Sequence, residues 1–171
     1  NARFFKESTV LFVHADNWCQ CRFKDFLDYH HKQRPKGTVM TMMTFETETP
    51  KNCGIVETDL DGVVQAFHEK VLDPPGTLAN AAVYLLEPEI LQWLEEHPDA
   101  NDFSTQVLPF FVGKIATWHN DRLLRDIGTL KDLRKAQLDP KPTAIWDIND
   151  SWQKWFLNHS IHQKLKEDDP R

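Results

Sequence analysis

Thr9-Val10-Leu11-Phe12-Val13-His14-Ala15-Asp16-Asn17 is the stretch on which the reading of the whole chain turns. From Thr9 to Val13 every residue is β-branched or apolar, and the run is too short for a helix of its own. It predicts a strand buried on both faces, as in parallel sheets. Asp16 and Asn17 stand at its exit, ahead of an amphipathic run in which Phe23, Phe26, Leu27 and His30 recur at helical spacing. The polar pair is therefore expected on a strand-to-helix turn. Ligands of open α/β sheets bind beyond the carboxyl ends of the strands, where an Asp can hold a divalent metal. It can equally cap the helix that follows.

Working outward, Arg34-Pro35-Lys36-Gly37 ends that helix. Thr38 to Phe45, dense in Thr, Val and Met, predicts a second strand. Gly54 to Thr58 and Val63 to Phe67 flank Asp59-Leu60-Asp61-Gly62, which predicts a hairpin. Leu78 to Leu86 reads as a buried strand whose one polar residue, Asn80, must find hydrogen-bond partners in the sheet or in a ligand. Pro88 opens a short helix, and Asp102 can cap another running to about Leu108. Ile115 to Trp118 and Arg122 to Leu124 are read as a strand pair around Asn120-Asp121. Thr129 and Asp132 are spaced like a cap and its third helical residue, so a helix through about Ala136 follows. Beyond Pro140 the composition shifts, and Trp152, Trp155 and Phe156 mark one apolar helical face, for docking on the domain or for binding a partner.

With 171 residues, 40% of them hydrophobic, the chain can fill one domain of ordinary size. No apolar run approaches the roughly 20 residues of a membrane span, and the opening residues carry no signal pattern. A net charge of -6 argues against a nucleic-acid surface, so the expectation is a cytoplasmic protein acting on neither membrane nor nucleic acid. Cys19, Cys21 and Cys53 are expected as free thiols. Cys19-Gln20-Cys21 beside His14, His30 and His31 raises zinc, against which stands the wrong cysteine spacing.

Taken in order, several motifs make the chain resemble the sugar-1-phosphate nucleotidyltransferases, in particular their mannose-1-phosphate guanylyltransferase-like branch. They are Val13-His14-Ala15-Asp16, Cys53-Gly54-Ile55-Val56-Glu57, Phe67-His68-Glu69-Lys70, Leu78-Ala79-Asn80-Ala81-Ala82-Val83-Tyr84, Asp102-Phe103-Ser104, Val107-Leu108-Pro109 and Asp126-Ile127-Gly128-Thr129. The resemblance implies an α/β chain with a partial Rossmann-like nucleotide-diphospho-sugar transferase fold, a mixed sheet flanked by helices. It implies transfer of a nucleotidyl group from a nucleoside triphosphate, GTP in that branch, to a mannose- or heptose-like sugar 1-phosphate, with release of pyrophosphate. Asp16 and Asp126 would hold Mg²⁺ as the catalytic pair, Lys70 would meet the sugar phosphate, Glu69 and Asn80 the sugar, and Thr129 a phosphate. Read from the residues alone, Asp126 is equally a turn residue before Gly128, and capping suffices for Thr129.

The glycine-rich loop that opens the family is not found here, since the six glycines stand singly. Residues 1–138 are accordingly expected to be the C-terminal, sugar- and metal-binding part of such a domain, inactive by itself and pairing as a homo-oligomer, with 139–171 a Trp-rich helical tail. The competing expectation is a non-catalytic module that binds a sugar phosphate or regulates. Departures from the family pattern are His14-Ala15-Asp16 for the commoner Asn-Gly-Asp, Val71 for Pro, and Ala81 and Ala82 where a glycine is usual.

Overall fold

The computed structural model describes Phe5, residues 7–141, Trp155 and residues 158–160. Its contacts separate two units, Asn1–Leu138 and Asp139–Arg171. In the second, Trp155 packs on His159 with ring centroids 4.9 Å apart. Trp146, Trp152 and Phe156 lie outside the described residues.

The first unit is built around two long strands, β3 (Met40–Glu46) and β6 (Leu78–Leu86), paired antiparallel. Their apolar residues alternate between two cores. Met40, Met42, Tyr84 and Leu86 face one, with Ile90 of α2 (Pro88–Glu96) and Leu108 and Phe111 beyond it. Met43, Ala81, Val83 and Leu85 face the other, closed by Phe26 of α1 (Phe23–Lys32). A sheet with a helix on each face follows directly from that alternation. The hairpin forms as β4 (Gly54–Thr58) and β5 (Val64–Glu69), its turn held by the Asp59 carboxylate, which accepts from the N–H groups of Asp61 and Val63. The main sheet runs β5-β4-β6-β3-β7 and is antiparallel apart from β3 against β7 (Ile115–His119). Among the described residues no helix is long and apolar enough to cross a membrane.

Three expectations are corrected. The first strand, β1 (Val10–Val13), pairs antiparallel with β6 alone and leaves Leu11 and Val13 exposed, so it is not buried on both faces. A short strand, β2 (Asn17–Cys19), intervenes before α1, which removes Asp16 and Asn17 from any capping role; Arg22 occupies the cap position. The β2 strand takes as its partner β8 (Leu124–Asp126), which therefore does not form a hairpin with β7.

Helix α1 is fastened to the sheet by a buried histidine. A carboxylate only accepts, so His30 Nε2 donates to Glu87 Oε1 at 2.8 Å, and the Thr41 hydroxyl donates to Nδ1 at 2.7 Å. Arg34 closes the group on Glu87 at 2.9 Å. Burial, and then the neighbouring Arg34 charge, hold the imidazole below its ordinary value of 6.5. The folded state thus binds the proton less tightly than the unfolded chain. Stability from His30 is complete above 6.5 and is lost as pH falls through that value toward the folded one. Thermal unfolding should show a midpoint that drops between pH 7 and 5, with a shallower drop in His30→Gln. An equal slope in the variant would remove His30 as the source.

Candidate active site

A cleft of about 510 Å³ opens where β1, β5 and β6 converge. The two aspartates singled out from the sequence line it. Asp16 lies on the turn between β1 and β2, and Asp126 ends β8. Asn17 pairs with Asp126 across the β2–β8 ladder, and the Ile127 N–H donates to Asp16 O at 2.8 Å. Backbone pairing therefore sets residues distant in sequence side by side at the cleft. Asp126 Oδ1 accepts the Gly128 N–H at 2.7 Å, and a Cβ on Gly128 would stand 2.9 Å from the same oxygen. Glycine there leaves the carboxylate its place and orients it. Both aspartates are exposed, and the Asp16 carboxylate has no hydrogen-bond partner among the described residues.

This donor set fits Mg²⁺, a hard cation that takes one or two protein carboxylates and fills its remaining positions with water and phosphate oxygen. Among the described residues no group of three or more His, Cys, Asp or Glu is placed to hold a metal. The zinc alternative at Cys19 and Cys21 thus has no ligand set.

Strands β5 and β6 also line the cleft. Glu69 pairs with Gly54, whose missing side chain it requires: a Cβ there would meet Phe67 Cζ at 2.5 Å and Glu69 Oε2 at 2.7 Å. Lys70 follows with φ +50°, its N–H bonded to Cys53 O at 3.2 Å and its Nζ 3.6 Å from Glu69 Oε1. Ala82 also lies in the left-handed region, φ +52°. These are the only non-glycine residues with positive φ among those described, and both line the cleft. Each such conformation costs of order 1–3 kcal/mol and persists only where surrounding bonds hold it.

The bonds at Ala82 can be named. Met42 pairs with Tyr84 and Thr44 with Asn80, so Met43 of β3 faces a bulge of Ala81, Ala82 and Val83. Asn80 Oδ1 accepts the Ala82 N–H at 2.9 Å and Nδ2 donates to Tyr84 Oη at 2.7 Å. The Ala82 carbonyl accepts from His14 N–H at 3.1 Å, and the Ala81 carbonyl from Asn17 Nδ2 at 2.9 Å. At about 0.5–1.5 kcal/mol apiece, such bonds together cover the strain. Asn80 lines the cleft, but the protein itself supplies these partners.

Residues the sequence had not marked as site residues complete the cleft. Phe103 packs on Phe12 and Tyr84, centroids 4.8 and 4.9 Å away, and lines the cleft with Phe12. Burial raises the Tyr84 pKa, which keeps its hydroxyl protonated. Asp102 caps the π turn Phe103–Val107 by accepting the Thr105 N–H at 2.8 Å, which also holds its carboxyl below the usual range. The motif Asp102-Phe103-Ser104 was visible in sequence, whereas its place in the cleft was not. Thr129 does not line the cleft. Its hydroxyl donates to Asp132 Oδ2 at 2.6 Å and accepts the Asp132 N–H at 3.1 Å, capping α3 (Leu130–Leu138).

Asp16, Glu69, Asp102 and Asp126 set four carboxylates around one lysine, Lys70. A phosphate entering alone would meet repulsion, and a divalent cation between the two aspartates would offset their charge and lessen it.

The family model described as nucleotidyl transferase matches residues 1–141, and the chain belongs to that family. Among its relatives, a glucose-1-phosphate adenylyltransferase of Thermotoga maritima is 30% identical over 94% of this chain and 40% of its own length. Mannose-1-phosphate guanyltransferase 2 of Candida glabrata is 26% identical over 74% of the chain and 35% of its own length. The chain thus spans about 40% of the first of these relatives. The fold is that of a solved Bacillus anthracis protein described as a glucose-1-phosphate thymidylyltransferase, in complex with sucrose. The match has a TM-score of 0.71 at 14% identity and covers 84% of this chain and 60% of that one.

Proposed function

We propose that this chain supplies the sugar- and metal-binding side of a sugar-1-phosphate nucleotidyltransferase. The observation that carries the reading is the convergence of Asp16 and Asp126 on the cleft that also holds Glu69 and Lys70. In the reaction, a phosphate oxygen of the sugar 1-phosphate attacks the α-phosphorus of a nucleoside triphosphate, and the bond to pyrophosphate breaks. Mg²⁺ held by Asp16 and Asp126 would supply charge neutralisation on the phosphates.

The chain's own groups align the acceptor. Lys70, its backbone fixed in the left-handed region, places its ammonium for the sugar phosphate, while Glu69 accepts from sugar hydroxyls. The substrate class is a hexose 1-phosphate. The relatives' names include glucose with adenylyl and mannose with guanylyl transfer, so the mannose and GTP expectation is one of two branches to be assayed. Calorimetric titration of glucose 1-phosphate and mannose 1-phosphate, with and without Mg²⁺, tests the reading and ranks the sugars. Pyrophosphate release from ATP and GTP by the intact protein then separates an enzyme from a module that only binds.

A further inference from the structure

The peptide joining Ala81 to Ala82 is gripped at both ends by amide side chains from different strands. Its carbonyl accepts from Asn17 Nδ2 and its N–H donates to Asn80 Oδ1. Rotation of that peptide is what would let Ala82 leave its left-handed conformation, and neither grip survives the rotation. Asn17 directly follows Asp16, and its own backbone is paired with Asp126. The same residue therefore touches the turn of one carboxylate, the strand of the other and the strained bulge.

We propose that Asn17 is a positioning residue, tying the Asp16 turn to the β6 bulge and so fixing where the Asp16 carboxylate stands relative to the sugar side of the cleft. The proposal rests on the reading of Asp16 as a cation ligand given above. Asn17 has no need to touch the cation. It acts through the Ala81 carbonyl, and only while residue 82 must be forced into the left-handed region. A glycine at 82 adopts that region without strain, so Ala82→Gly should make the clasp less necessary.

The test is a double-mutant cycle on the full chain, read by Mn²⁺ binding in calorimetry and by amide hydrogen exchange. Asn17→Ala should weaken Mn²⁺ binding about tenfold, as loss of a group that orients a ligand does. In the Ala82→Gly background the same change should cost about threefold or less. Exchange at the Ala82 N–H should speed up about tenfold in Asn17→Ala, with or without metal. An unchanged exchange rate, or an equal Mn²⁺ loss in both backgrounds, overturns the clasp. Asp16→Asn serves as the reference: if it leaves Mn²⁺ affinity intact, the cation reading fails, while the exchange rate still decides whether Asn17 holds the bulge.

Discussion

Asp126→Asn and Asp16→Asn should each lower the turnover of the intact protein about 100-fold or more, because a cation that neutralises transferring phosphates is worth several kcal/mol in the transition state. The fold should survive both changes. The two side chains are exposed, and an Asn at 126 keeps an oxygen to accept the Gly128 N–H. Thermal midpoints close to that of the parent, together with a loss of Mg²⁺ dependence, are the expected pair of results. A variant with near-normal rate and an unaltered Mg²⁺ requirement would reject that residue as a ligand.

The second large effect is expected from a single methyl group. Gly54→Ala puts a Cβ within 3 Å of both the Phe67 ring and the Glu69 carboxylate, so one or both must move. Overpacking of this kind costs about 1–3 kcal/mol of stability. Moving Glu69 would also take away the bonds to the sugar proposed for it, and sugar 1-phosphate affinity should fall about tenfold or more. Gly76→Ala, which meets nothing within 4 Å, is the matched control and should leave both quantities unchanged. A Gly54→Ala protein with parental affinity would mean that Glu69 does not hold the ligand.

How much of this was legible depended on what each residue reports locally. The Leu78–Leu86 strand, the Asp59 turn and the Pro88 helix were readable because their signals are short-range: an apolar run, an Asp-Gly pair, a proline at a helix start. The edge position of β1 was not. An apolar run states that a strand wants cover, and it does not state whether a neighbour stands on each side. The β2–β8 pairing was missed for a related reason. Strands of three residues such as Asn17-Trp18-Cys19 and Leu124-Arg125-Asp126 have no measurable period.

At the site, the carboxylates and Glu69-Lys70 were singled out through the order of motifs, and they line one cleft. The left-handed conformations of Lys70 and Ala82 were hidden, since neither residue type signals positive φ. Asn80 was recognised as needing partners, and only the bulge shows that Ala82 and Tyr84 are those partners. Thr129 illustrates the converse. Its capping geometry was readable from the spacing to Asp132, and that geometry accounts for its hydroxyl without any phosphate.

With Mg²⁺ at Asp16 and Asp126, the cleft is expected to take a sugar phosphate that it binds far more weakly without the cation. Calorimetric titration of a hexose 1-phosphate into the protein tests it most directly, run in Mg²⁺, in EDTA, and in Mg²⁺ with Asp126→Asn. Saturable binding in Mg²⁺ that weakens about tenfold or more in the other two arms is the predicted result. Binding of equal strength in all three, or no binding in Mg²⁺ at millimolar sugar phosphate, would contradict it.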